Sequence, residues 1–212
     1  MGITKDERAQ LSDLFDQVGP DVPTLCDGWL TRDLAAHLVV RERRPDAAIG
    51  IVVKPLAGYL ENVQGGYADK PWRELVDLFR AGPPPLSPYR PAIVDELVNT
   101  TEFFVHHEDV RRARPGWQPR PADAKRDEAV WRAVRASARV LYRRSPVGVV
   151  LRRPDGTEHV ARSGRHSGER AVTVIGEPAE LMLHAYGRDA IQVELAGDPA
   201  DVSALTGASR GF

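Results

Sequence analysis

The chain has 212 residues, 42% of them hydrophobic, and its 29 Lys and Arg nearly balance 30 Asp and Glu, for a formal net charge of -1. That length can bury a real core as one large domain or two small ones, and the near-neutral charge offers no general attraction to nucleic acid or to an anionic membrane surface. The single cysteine, Cys26, excludes an internal disulfide and any multi-cysteine metal site, so a bound cation would be held by nitrogen and oxygen.

The opening segment, MGITKDERAQLSDLF, mixes acidic with basic residues and lacks the apolar stretch of a signal peptide. No later segment has the apolar length to span a bilayer, so the expectation is a cytoplasmic protein. Thr4 and Glu7 stand at capping-box spacing, and Leu11, Leu14, Phe15 and Val18 recur at helical intervals up to Gly19-Pro20. The loop DVPTLCDGW leads to Thr31, the expected N-cap of a second helix. That helix, TRDLAAHLVVRERR, puts Leu34, His37, Leu38 and Arg41 on one inward stripe.

After Pro45, AAIGIVVKPLAGYLENV reads as loop plus a weaker helix ending at Gly65-Gly66. A short helix follows in KPWRELVDLFRAG, with Pro71 in its first turn, Leu75, Leu78 and Phe79 inward, and Gly82 after it. GPPPLSPYRP is an extended connection. Pro91 can open the next helix, on which Val94, Leu97, Val98, Thr101, Glu102, Val105 and His106 share a stripe predicted to face inward. Arg114-Pro115-Gly116 ends it. A last long helix places Val130, Val134, Ala138 and Leu141 on its apolar side.

Around Ser145-Pro146 the period changes from 3.6 to 2, with strands flanking the turn Pro154-Asp155-Gly156. A domain boundary is drawn there, giving residues 1–144 and 145–212. A polar loop, the strand AVTVI, a helix from Pro178 to Gly187, the strand IQVEL and a helix near PADVSALTG make the second part a small mixed domain, so the fold class is α+β.

Glu102 and His106 are one helical turn apart, close enough to hold one ion between them. Each of these polar residues has an ordinary alternative: Glu102 and His106 as an exposed helix pair, His37 as a core histidine satisfied by one hydrogen bond. Taken together, His37, Glu102 and His106 form a His2Glu set suited to a divalent ion such as zinc, with an open fourth position; ligand type alone leaves nickel, iron and manganese open. His107 points about 100 degrees away round the helix and is assigned, with Glu108 and Asp109, to the surface or to a supporting role. Cys26 is expected to be a small buried hydrophobe.

The string TLCDGWLTRDLAAHLVVRERR resembles the N-terminal signature of the DinB/YfiT-like superfamily, in the branch containing mycothiol-dependent maleylpyruvate isomerase, and EFFVHHEDVRRA resembles its second metal-binding helix. The chain is similar also to a group of actinobacterial metal-binding proteins without an assigned reaction. The resemblance implies a DinB-like four-helix bundle joined to a small sterol-carrier-like α+β domain, to which GEPAELMLHAYGRD and VELAGD are similar. It puts the family's metal triad on His37, Glu102 and His106. It implies a transferase or isomerase in which the metal activates a mycothiol-type thiol toward an electrophilic substrate, acting on small molecules, with a homodimer left open. Water in the open position would instead give a metal-dependent hydrolase, and a closed site a non-catalytic, metal-stabilised ligand-binding protein. Arg188, Arg165 and Arg170 are candidates for holding a substrate carboxylate, because a guanidinium forms a bidentate fork; a solvated surface charge is the ordinary reading of each. His159, His166 and His184 are read as strand, loop and helix-surface residues.

Overall fold

A computed structural model describes residues 3–48, 53–85, 92–164 and 170–211. The chain divides into two compact units, Met1–Pro119 and Arg120–Phe212. Pro91, Arg165 and His166, and the side chains of Val94, Leu97 and Val98, lie outside the described residues.

The first unit is helical: α1 (Ile3–Val18), α2 (Thr31–Arg43), the short α3 (Pro45–Ala48), a 3-10 turn (Lys54–Leu56), α4 (Ala57–Ala68), α5 (Trp72–Ala81) and α6 (Ala92–Arg112). Leu11 and Phe15 of α1, Leu34 and Leu38 of α2, Leu75 and Phe79 of α5, and Phe103 and Val110 of α6 are fully buried in one cluster. Each such side chain contributes about 1.5–3 kcal/mol by leaving water. A buried ion pair crosses this core: the Arg8 guanidinium forks onto Glu42 with two bonds of 2.5 Å, and its plane lies over the Phe103 ring at 4.6 Å.

Local capping differs from expectation. Thr4 already lies within α1 and so is not its N-cap; it meets Thr100 across the helices at 2.9 Å, and Glu7 accepts from His107 at 2.8 Å. Thr31 is not the cap of α2 either; its hydroxyl donates to the Gly19 carbonyl, while Asp33 accepts from the Leu30 N–H at 2.9 Å. α4 runs through Gly65-Gly66 to Ala68 instead of stopping there, and Pro71 precedes α5 instead of lying in its first turn.

In the second unit, α7 (Ala124–Leu141) is followed by β1 (Gly148–Arg152), β2 (Glu158–Arg162), β3 (Ala171–Ile175), α8 (Pro178–Ala185), β4 (Glu194–Ala196) and α9 (Pro199–Thr206). The sheet order is β2-β1-β3-β4; β1 pairs antiparallel with β2 and parallel with β3, and β3 antiparallel with β4. The β1–β2 hairpin turns at Pro154-Asp155-Gly156, where Gly156 has φ 87, a conformation that only glycine adopts without strain. The fold is α+β. The change of period at 145 assigned α7 to the helical part, yet α7 packs on α8 and β2, and the units divide between Pro119 and Arg120. Among the described residues, no helix is long and apolar enough to cross a membrane.

Candidate metal centre

Glu102 and His106 occupy successive turns of α6, and α2 brings His37 to them from 65 residues away. The Nε2 atoms of both histidines converge on one oxygen, Glu102 Oε1, at 3.0 Å from His37 and 3.2 Å from His106. Their rings stand edge to face with centroids 5.6 Å apart. All three donor atoms lie within 4.8 Å of one another. A tetrahedral ion with bonds of about 2.0–2.1 Å spaces its donors by about 3.3 Å, so the donor set fits a divalent cation with little rearrangement.

Of the predicted inward stripe of α6, Val105 is buried as expected, whereas the Glu102 and His106 side chains keep 23% and 12% of their exposure; Phe103, Phe104, His107, Glu108, Asp109 and Val110, outside that stripe, are buried as well. The triad thus sits at the rim of the core, where a ligand can reach it. His107 is not a surface group; it turns to α1 and pairs with Glu7. Glu108 is buried too, paired with Arg112 at 2.5 Å and Arg111 at 3.0 Å.

Three neighbours tune the site. Asp109, fully buried, accepts from His106 Nδ1 at 2.9 Å, the carboxylate–histidine arrangement that fixes tautomer and ring orientation in metal sites. Cys26 is half-buried instead of being core: its Sγ donates to Asp109 at 3.2 Å and lies 3.6 Å from His106 Nδ1. The loop carrying it is pinned to α6 by a bond from the Leu25 N–H to the Asp109 carbonyl. Arg41, one turn beyond His37, brings Nε to 3.6 Å from Glu102 and bonds Asn99. Spacing alone could have flagged Arg41 and Asp109, at i+4 from His37 and i+3 from His106.

Burial alone would raise the Glu102 carboxyl, but the bonds from His106 and His37 and the nearby Arg41 charge hold it well below the usual carboxylate range. Burial likewise opposes charge on His106, and Asp109, Cys26 and Glu102 outweigh it, pushing that imidazole well above its ordinary value. Without a cation, then, protons hold the triad together. Cys26, His106 and Asp109 form a second group with metal-ligand chemistry, using the other nitrogen, Nδ1, of the same imidazole.

A cavity of about 480 Å³ opens on His37, between Trp29, Asp33 and His37 on one side and Leu60, Glu61 and Gln64 of α4 on the other. The Trp29 indole packs on the His37 ring at 5.1 Å. In the second unit, Arg188 donates to its near neighbour, the Tyr186 carbonyl, and Arg170 pairs with Asp201 at 2.5 Å. His159 lies on β2 as expected, whereas His184 is not on the helix surface; it is buried against Tyr142.

Fold and site define an α+β protein with a candidate metal centre of two histidines and a glutamate. No protein-family model and no curated protein matches the sequence. Among solved structures, the chain shares its fold with the crystal structure of mycothiol-dependent maleylpyruvate isomerase, at a TM-score of 0.62 and 16% identity, covering 92% of this chain and 91% of that one. A histidine-to-alanine mutant of the isomerase matches at a TM-score of 0.61 over the same shares of both chains, again at 16% identity.

Proposed function

We propose that the first unit is a DinB-like bundle holding a divalent ion, zinc before nickel, iron or manganese, through His37, Glu102 and His106, and that the protein is a thiol-dependent transferase or isomerase of the mycothiol type. The observation carrying this is the convergence of two imidazole Nε2 atoms on Glu102 Oε1 beside an open cavity, in a fold shared with an isomerase that uses mycothiol. When bound, such an ion lowers the pKa of a thiol and favours the nucleophilic thiolate.

The chain's own residues do the rest. Asp109 fixes His106 with Nε2 toward the site, and its burial keeps water from competing for that bond. Arg41 offsets negative charge beside Glu102, and Trp29 holds the His37 ring against the cavity wall. The cavity opening on His37 would give an electrophile access to the same site.

Zinc-reconstituted protein, assayed with mycothiol and a panel of electrophiles, should either consume thiol, as a transferase, or isomerise the electrophile with the thiol regenerated, at a rate that falls to background in His37→Ala. A rate equal to that of the metal-free chain would refute the proposal. Thiol-independent turnover of esters or amides would replace it with a hydrolase.

A further inference from the structure

We propose that the cavity beside His37 is an organic-cation site: the substrate entering it carries an amine or similar cationic group and is not a carboxylate. This deepens the reading of the same site, taking the cavity as the approach to it.

The walls come from two helices. On α2, Asp33 and His37 are one turn apart; on α4, Leu60, Glu61 and Gln64 share a face. The remaining lining of α4 is Ala57, Gly65 and Ala68, and no residue of this helix is buried. Small side chains on α4 therefore leave the volume open. Among the described residues, the lining contains the two carboxylates of Asp33 and Glu61, the indole of Trp29 and the amide of Gln64, with no Lys or Arg.

An aromatic side chain flanked by carboxylates is the combination that recognises organic cations, the ring through its quadrupole and the carboxylates through charge. A dicarboxylate would meet like charge on two walls. The metal end would not reverse this: a bound divalent ion and Arg41 would be balanced by Glu102, Asp109 and a thiolate, and Arg32, which reaches the Ala68 carbonyl at the rim, faces Asp21 at 3.7 Å, so Asp33 and Glu61 set the sign of the field in the cavity. With solvent screening at an effective dielectric of about 40–80, one unit charge about 6 Å from a carboxylate changes affinity about three- to tenfold, and two carboxylates compound it.

The test uses three phenyl compounds matched in size: benzylamine, benzyl alcohol and benzoate. Their affinities for the full chain are measured by ligand-observed NMR, with the chain zinc-loaded and metal-free. Benzylamine should bind at least about tenfold more tightly than benzoate, with benzyl alcohol between them. Glu61→Gln combined with Asp33→Asn, which keeps an acceptor for the Leu30 N–H, should bring the three affinities within about twofold while leaving the melting temperature in place. Benzoate binding as tightly as benzylamine in either form, or an unchanged ratio in the double variant, would overturn the proposal. The metal-free arm does not depend on the metal reading. Zinc uptake without a charge preference would overturn the cavity proposal alone, and a charge preference without zinc uptake would overturn only the metal proposal.

Discussion

Asp109→Ala separates the two ways in which His106 could serve a metal. In the proposed site Asp109 is not a ligand; it accepts the Nδ1 proton at 2.9 Å and so directs Nε2 at the ion. Removing such an orienting carboxylate costs about 10- to 100-fold in metal affinity, equivalent to about 1.4–2.8 kcal/mol. In the alternative set of Cys26, His106 and Asp109 the same carboxylate is a direct ligand, and its removal would cost far more, as would loss of Cys26. The assay is zinc competition against a chromophoric chelator at fixed pH for wild type, Asp109→Ala, Asp109→Asn, His37→Ala and Cys26→Ser. Expected are a 10- to 100-fold loss for Asp109→Ala, a smaller one for Asp109→Asn, loss of tight binding for His37→Ala and little change for Cys26→Ser. Full affinity in His37→Ala, or an Asp109→Ala chain within twofold of wild type, would refute the reasoning.

Removing the metal should lower stability through linkage: at a free zinc concentration 100 times Kd the bound ion is worth about 2.7 kcal/mol, and thermal melts with and without chelator should differ in wild type but coincide in His37→Ala. Glu42→Ala strands the buried Arg8 charge and should cost about 3–5 kcal/mol in urea denaturation, with Arg8→Met in the same chain restoring most of the loss. In the second unit, burial and then the Arg210 charge push His184 down from 6.5 to about 3. The unfolded chain therefore binds the extra proton between about pH 6.5 and 3, so this contribution is complete above 6.5 and is lost as pH falls. Urea midpoints from pH 7.5 to 4 should fall more steeply for wild type than for His184→Gln, and equal slopes would contradict the assignment.

The elements legible in the sequence are those decided by local chemistry. Gly82 closes α5 with φ 72, Pro178 opens α8 and Gly156 makes the hairpin turn, because these residues set their own backbone. The closeness of the candidate pair on α6 was legible for the same reason, since four residues of helix fix the separation of Glu102 and His106. The orientation of α6 was not. Its apolar residues surround the helix, and its facing is decided by partners remote in sequence: Glu7 draws His107 inward from 100 residues away, and Phe103 joins Phe15 and Phe79 in the core. Thr4 and Glu7 show the converse, a local capping pattern overridden by contacts to α6 that no short window contains. The assignment of α7 turned on packing as well, because an amphipathic helix does not reveal which core its stripe will cover.

Two glutamates in the first unit explain why one is finished structure and the other invites a ligand. Glu42 is 2% exposed and takes both arms of a guanidinium at 2.5 Å, with Asn99 adding a third donor at 3.2 Å. A carboxylate so satisfied has little lone-pair capacity left for a cation. Glu102 instead stands at the rim, and its near partners are two imidazoles on one oxygen, with the Arg41 nitrogen farther off at 3.6 Å. Imidazoles, unlike a guanidinium, can give up the proton they offer and present a lone pair in its place. A divalent ion can therefore replace the protons that hold the triad, gaining three donors while His106 keeps its bond to Asp109. Exchanging the histidines for arginine would leave a well-paired Glu102 and no candidate metal site, so the proposed chemistry rests on the choice of imidazole as much as on the spacing of the residues.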